Sequence, residues 1–225
     1  PPKAAATSAR MAEPTWFEDM AKRVREVQRD EAGHLTTESY LHVCEGNLKI
    51  FTVIFNGYVT AEVGRQLAAA NENGQSIVRK DSEKVGAAGK TLVSLVKHQV
   101  AETGVEKLGT PGETSGTKSL LWLNRELTFI CKLIRLLISG REASEAGYEA
   151  YDTVIKPYHA WIVQKFVGNA VGYVPTIEQL LPLLGISSRE VGEGLGKTFC
   201  DSMEPLTAEV LALLDAEGAH FQGTP

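Results

Sequence analysis

Apolar positions along the chain recur at intervals of three and four residues, and no segment shows sustained alternation rich in β-branched residues. That periodicity predicts an all-α fold. The strongest stretch is Gly116–Ile138, in which Leu120, Leu123, Leu127, Ile130, Ile134 and Leu137 form a stripe wide enough to be the centre of a helical core. Trp122, Arg125 and Phe129 are three and four apart within it and so share one face.

Other helices follow from the same spacing. Thr15 caps a first helix carrying Trp16, Met20, Val24 and Val27, and Thr37–Phe55 forms a second with Leu41, Cys44, Leu48, Phe51 and Phe55 facing inward. A short helix over 59–70 is followed by Asn71-Glu-Asn-Gly-Gln-Ser76, whose composition predicts a loop. Thr91–Thr103 is helical, and 104–116 reads as a Gly-, Thr- and Pro-rich loop. A helix starting near Ser144 runs through His159, with a kink at Pro157 because proline removes a backbone donor and crowds the preceding turn. A short helix over 177–184 and a final one from Ser187 to about Ala216, weakened by glycines in its first half, complete the pattern. Residues 1–13 read as a flexible tail and 14–225 as a single domain.

Composition narrows the function classes. The net charge of -5 argues against a nucleic-acid partner, which calls for a basic face. Cys44, Cys131 and Cys200 lack metal-ligand spacing and are expected as buried thiols in a reducing compartment. No apolar run is long enough to span a bilayer and no leader pattern opens the chain, so the expected location is the cytoplasm and any membrane contact is peripheral.

Enzyme signatures do not emerge. There is no Gly-x-Ser-x-Gly, phosphate loop, Gly-x-Gly-x-x-Gly or His-Glu-x-x-His, and His34, His42, His98, His159 and His220 are scattered. Glu142, Glu145 and Glu149 share a helix face that reads as solvated surface. The expectation is no catalysis, no cofactor and no metal.

Two motifs in order carry a resemblance. Trp122-x-x-Arg125-x-x-x-Phe129 is followed by Ala150-Tyr151 and Tyr158-His159-Ala160-Trp161-Ile162-Val163, and together they resemble the glycolipid transfer protein family over about 116–175. The resemblance implies an all-α two-layer helical sandwich enclosing a hydrophobic lipid pocket. It makes Trp122 the plate on which a sugar ring stacks, a task suited to an indole with its flat apolar face and N–H edge. It makes His159 a hydrogen-bonding partner of a ceramide amide, and places Arg125 on the same face.

The family's Asp-x-x-x-Asn-x-x-Lys helix has no counterpart here. The nearest is Glu62-x-x-x-Gln66, with Ala69 in place of the lysine; Glu45-Gly-Asn-Leu-Lys49 ranks second because its acid and amide lie on different faces. Glu62 and Gln66 are therefore the expected further headgroup ligands. The hydrocarbon pocket implied is lined by Phe129, Leu133, Leu137, Ile155 and Phe166, with Ala170. Trp161 and Tyr151 are expected at a membrane-facing edge, helped by Lys156 and Lys165. The function implied is a soluble carrier, expected as a monomer, that moves a glycosphingolipid between membranes through transient peripheral contact; the alternatives are a lipid sensor or adaptor, or a carrier of a non-glycosylated lipid such as ceramide-1-phosphate.

Overall fold

A computed structural model describes residues 13–57 and 60–222. The tail expected over 1–13 lies, but for Glu13, outside the described residues. The chain folds as helices α1 (Trp16–Arg25), α2 (Thr37–Gly46), α3 (Leu48–Ile54), α4 (Ala61–Val85), α5 (Leu92–Thr103), α6 (Val105–Leu108), α7 (Gly116–Ile138), α8 (Ala143–Val154), α9 (Trp161–Val171), α10 (Ile177–Leu183) and α11 (Arg189–Ala216). Among the described residues there is no strand, only two isolated bridges, Arg29 with Leu35 and Thr36 with Thr91. The all-α expectation holds.

Helix α7 is the axis of the two-layer sandwich. It packs on α11, α4 and α8, while α4 packs on α2 and α3, and α1 bridges α2 to α11. Ser115 starts α7 by accepting from the Lys118 N–H at 3.1 Å. Thr15 and Glu18 close α1 reciprocally, a capping box that satisfies two backbone donors. Leu120, Leu121, Leu127, Ile130 and Ile134 of α7 are buried, as their spacing requires.

Four expectations are corrected, the first by α6, one helical turn inside the segment 104–116 expected as loop. The segment 71–76 is helix interior, not loop: α4 continues unbroken to Val85. Asn71 and Gln75 are buried there and Val78 packs in the core; side-chain hydrogen bonds and burial override the turn preference of the composition. The second helix breaks at Asn47 into α2 and α3. The helix from Ser144 through His159 is two helices, because Pro157 sits in a 3₁₀ turn (Lys156–Tyr158) and α9 restarts after Ala160.

Two glycines set distances that matter to the site. A Cβ on Gly64 would lie 2.9 Å from the Phe51 carbonyl oxygen, so α3 and α4 meet backbone to backbone. On Gly147 it would lie 2.1 Å from the Val171 carbonyl oxygen, so α8 and α9 close tightly around the turn that carries His159.

Candidate lipid-binding site

Trp122 and His159 form the centre. The rings stack with centroids 5.3 Å apart and planes 11° from parallel. Helix α7 supplies Trp122; the turn after α8 supplies His159, and Gln164 of α9 pins that turn by donating to the carbonyls of Lys156 at 3.0 Å and His159 at 2.8 Å. Tyr151 lies 3.0 Å from His159 Nδ1. Burial pushes the Tyr151 phenol up to about 12, so it keeps its proton. With that proton donated to Nδ1, the imidazole carries its own on Nε2. Burial, and then the charge of Arg125, lower the His159 pKa to about 4, so the ring is neutral at pH 7.

Arg125 completes the cluster. Its guanidinium carbon is 3.5 Å from the centre of the Tyr158 ring and 5.0 Å from that of Trp122, and Nη2 donates to the Phe221 carbonyl at 2.7 Å. Burial lowers its pKa to about 10, which leaves it charged at pH 7. Among the described residues its Nε and Nη1, and the Trp122 Nε1, are buried donors without a partner. Unpaired buried donors are costly, and a ligand bringing oxygen acceptors would satisfy them.

Three cavities adjoin the pair. An open groove of about 690 Å³ runs between α4 and α9, bounded by Val63, Gln66, Leu67, Ala70, His159, Ile162 and Phe166. A cavity of about 160 Å³ lies on the α4–α7 side of Trp122, with Ala70, Gly74, Ile77, Ser119, Lys118 and Glu126 in its wall. Between them an apolar cleft of only about 30 Å³ is enclosed by Phe51, Phe55, Leu67, Phe129, Ile155 and Val167 together with Trp122, Glu126 and His159. That is the volume of about one water molecule, so hydrocarbon enters only if the helices part.

The comparisons decide the family. A family model described as Glycolipid transfer protein (GLTP) matches residues 35–185. The chain belongs to the glycolipid transfer protein family. Among its relatives, the Glycolipid transfer protein of Aureobasidium melanogenum is 25% identical over 81% of this chain and 84% of its own length. The Pleckstrin homology domain-containing family A member 8 of Danio rerio is 26% identical over 80% of this chain but only 31% of its own length, so this chain spans about a third of that relative. A solved structure described as showing how FAPP2 selects simple glycosphingolipids using the GLTP fold superposes with a TM-score of 0.77 at 21% identity, covering 94% of this chain and 100% of that one. Human ceramide-1-phosphate transfer protein in complex with 12:0 ceramide-1-phosphate superposes at 0.73 with 15% identity, over 92% of this chain and 99% of that one. At these identities the superpositions speak for the glycolipid transfer protein fold.

Within that fold, Trp122, Arg125 and His159 come together, whereas the other expected ligands diverge. Glu62 is exposed and occupied by its neighbours, accepting from Arg65 Nη2 at 2.6 Å and Gln66 Nε2 at 3.0 Å; it lines none of the three cavities. Gln66 is at the rim of the α4–α9 groove. Phe129 and Ile155 enclose the apolar cleft, but Leu133 and Leu137 are buried core beyond it, Ala170 is likewise buried, and Phe166 is 47% exposed on the wall of the outer groove. Tyr151 is a correction: at 1% exposure it cannot touch a membrane, and its hydroxyl is spent on His159. Trp161 is 69% exposed, with Ile162 beside it and Lys165 Nζ 6.0 Å from its ring centre. Lys156 is paired with Asp152 at 2.8 Å.

Sequence reasoning missed Glu126. It lies one helical turn beyond Trp122, is buried, and accepts from Asn71 Nδ2 at 2.5 Å, while Gln75 Nε2 holds Asn71 by donating to its Oδ1 at 2.6 Å. Burial raises its pKa to about 8 despite the Asn71 bond, so it is mostly protonated at pH 7. The signal was present: a carboxylate at i+4 from Trp122 on the face that also carries Phe129.

Proposed function

We propose that the protein is a non-catalytic carrier that lifts a sphingolipid from one membrane and delivers it to another, with a sugar as the preferred headgroup. The observation that carries this reading is the Trp122–His159 stack with Arg125 beside it, where His159 borders an apolar groove whose wall also bears Ile162 and Phe166. An indole with an unpaired N–H suits a sugar, which offers an apolar C–H face and hydroxyl acceptors together. Neutral His159 is matched to an uncharged amide or hydroxyl. Trp161, Ile162 and Lys165 supply apolar contact and one cation for a brief stay at a bilayer surface, and the expected site of action is the cytoplasm.

A second reading, ceramide-1-phosphate, is favoured by Arg125 alone, whose two spare donors and permanent charge suit a phosphate oxygen. Intermembrane transfer of fluorescent galactosylceramide and of ceramide-1-phosphate, run in parallel, separates the two. The glycolipid is expected to move, and Trp122→Ala and His159→Leu each to slow it at least about tenfold, the equivalent of about 1.4 kcal/mol of lost contact. Transfer of ceramide-1-phosphate alone would reverse the assignment; binding of the glycolipid with negligible transfer would mark a sensor or adaptor.

A further inference from the structure

The cavity-facing side of α4 carries Val63, Leu67, Ala70, Gly74 and Ile77, so that helix presents no acid to the cavities on either side of Trp122. The acid comes from α7. Glu126 lines both the 160 Å³ cavity beside Trp122 and the apolar cleft that begins at Phe129. Its position along α7 is therefore where a cavity that also touches Glu113, Ser115, Lys118 and Ser119 meets the apolar cleft, the place for a lipid's headgroup to join its chains. Asn71 occupies Oε2, and among the described residues Oε1 has no partner, although it is not fully occluded. The Gln75–Asn71 relay holds the carboxyl in place, which is the support a binding group needs.

We propose that Glu126 is the acid of this binding site, taking an amide N–H or hydroxyl donor at the junction of a bound lipid's headgroup and chains, and so selecting a ceramide-type junction over a diacylglycerol-type one. This rests on the carrier reading above. A ceramide offers N–H and O–H donors there, whereas a diacylglycerol offers only ester oxygens. The protonated carboxyl can donate to an ester carbonyl and tolerates both; the carboxylate accepts only, and an ester lipid would leave its Oε1 without a donor. Selectivity should therefore sharpen as Glu126 ionises.

The groups facing it do not mimic that behaviour. Tyr40 and Cys44 of α2 are pushed well up by burial; His159, from the turn after α8, titrates at about 4 and Arg125 at about 10. Lys118, on α7, is paired with the Thr110 carbonyl, and Glu113 stands across the same cavity.

The experiment measures binding of galactosylceramide and monogalactosyldiacylglycerol, which share a sugar and differ at the junction, in vesicles at pH 6 and pH 9. In the wild type the affinity ratio favouring the ceramide is expected to rise about tenfold between the two, while Glu126→Gln, which keeps both donor and acceptor, holds a constant ratio. Thermal melts at both pH values confirm that each protein is folded. A flat ratio in the wild type, or the same rise in Glu126→Gln, overturns the assignment and leaves the carrier reading standing. Failure of the folded wild type to bind either galactolipid overturns the sugar-headgroup reading, and this inference with it.

Discussion

Burial moves the titrations of Glu126 and His159 in opposite directions, and each leaves its own trace in stability. Glu126, at about 8 folded against an ordinary carboxylate value unfolded, holds its proton more tightly in the folded state. Its contribution is present below about pH 4.5 and is lost as pH rises towards 8, on the order of 5 kcal/mol at most. His159, lowered to about 4, does the reverse: its contribution is full above about pH 6.5 and is lost as pH falls towards 4, about 2 kcal/mol or less after screening. Urea unfolding across pH 4–9 should show Glu126→Gln gaining on the wild type from about pH 4.5 up to about 8 and levelling off above it, and His159→Gln gaining below about pH 6.5. Parallel curves would mean that neither group is shifted. At this scale Trp122, Arg125 and His159 were legible because the two motifs hold them at recognisable spacing. Glu126 stands on the same face four residues after Trp122, but only the fold shows that α4 presents no acid beside it.

Among the helices, α4 and the α8–α9 pair decide where the site lies. Asn71, Asn73 and Gly74 suggest a loop, yet α4 runs through them because Asn71 and Gln75 are paired inside the protein and Val78 packs in the core. Propensity is a weak prior against such contacts. The same run of helix sets which side of α4 faces Trp122, turning Glu62 to solvent and Ala70 and Gly74 to the cavity. The α8–α9 turn depends on close backbone approach at Gly147. Gly147→Val should force the helices apart, costing about 3 kcal/mol by thermal or urea unfolding and displacing His159, so that lipid transfer falls more than for a surface substitution on α8. An unchanged melting temperature would show that the two helices can separate without penalty.

At the scale of the molecule, an exposed aromatic edge and a nearly closed interior fit a carrier that opens only on a membrane. Trp161, Ile162 and Phe166 stand out from α9 while the cleft behind them holds about 30 Å³. Trp161→Glu together with Phe166→Glu should reduce vesicle binding and transfer at least about tenfold while leaving the melting temperature within a few degrees, since neither side chain is core. Transfer that survives would place membrane contact on another face. Among the described residues no helix is long and apolar enough to cross a membrane. Helical periodicity was enough to establish the all-α class and the central helix, because a 3.6-residue repeat reports locally which side of a helix is buried. The motif pair was enough to bring Trp122 and His159 forward as partners. Tertiary structure alone decided that Tyr151 is interior, that Phe166 is at the rim, and that the acid beside the cleft is Glu126 in place of Glu62. Those outcomes depend on how helices rotate against one another and on which polar groups find partners, and such long-range pairings leave no periodic trace in a single sequence.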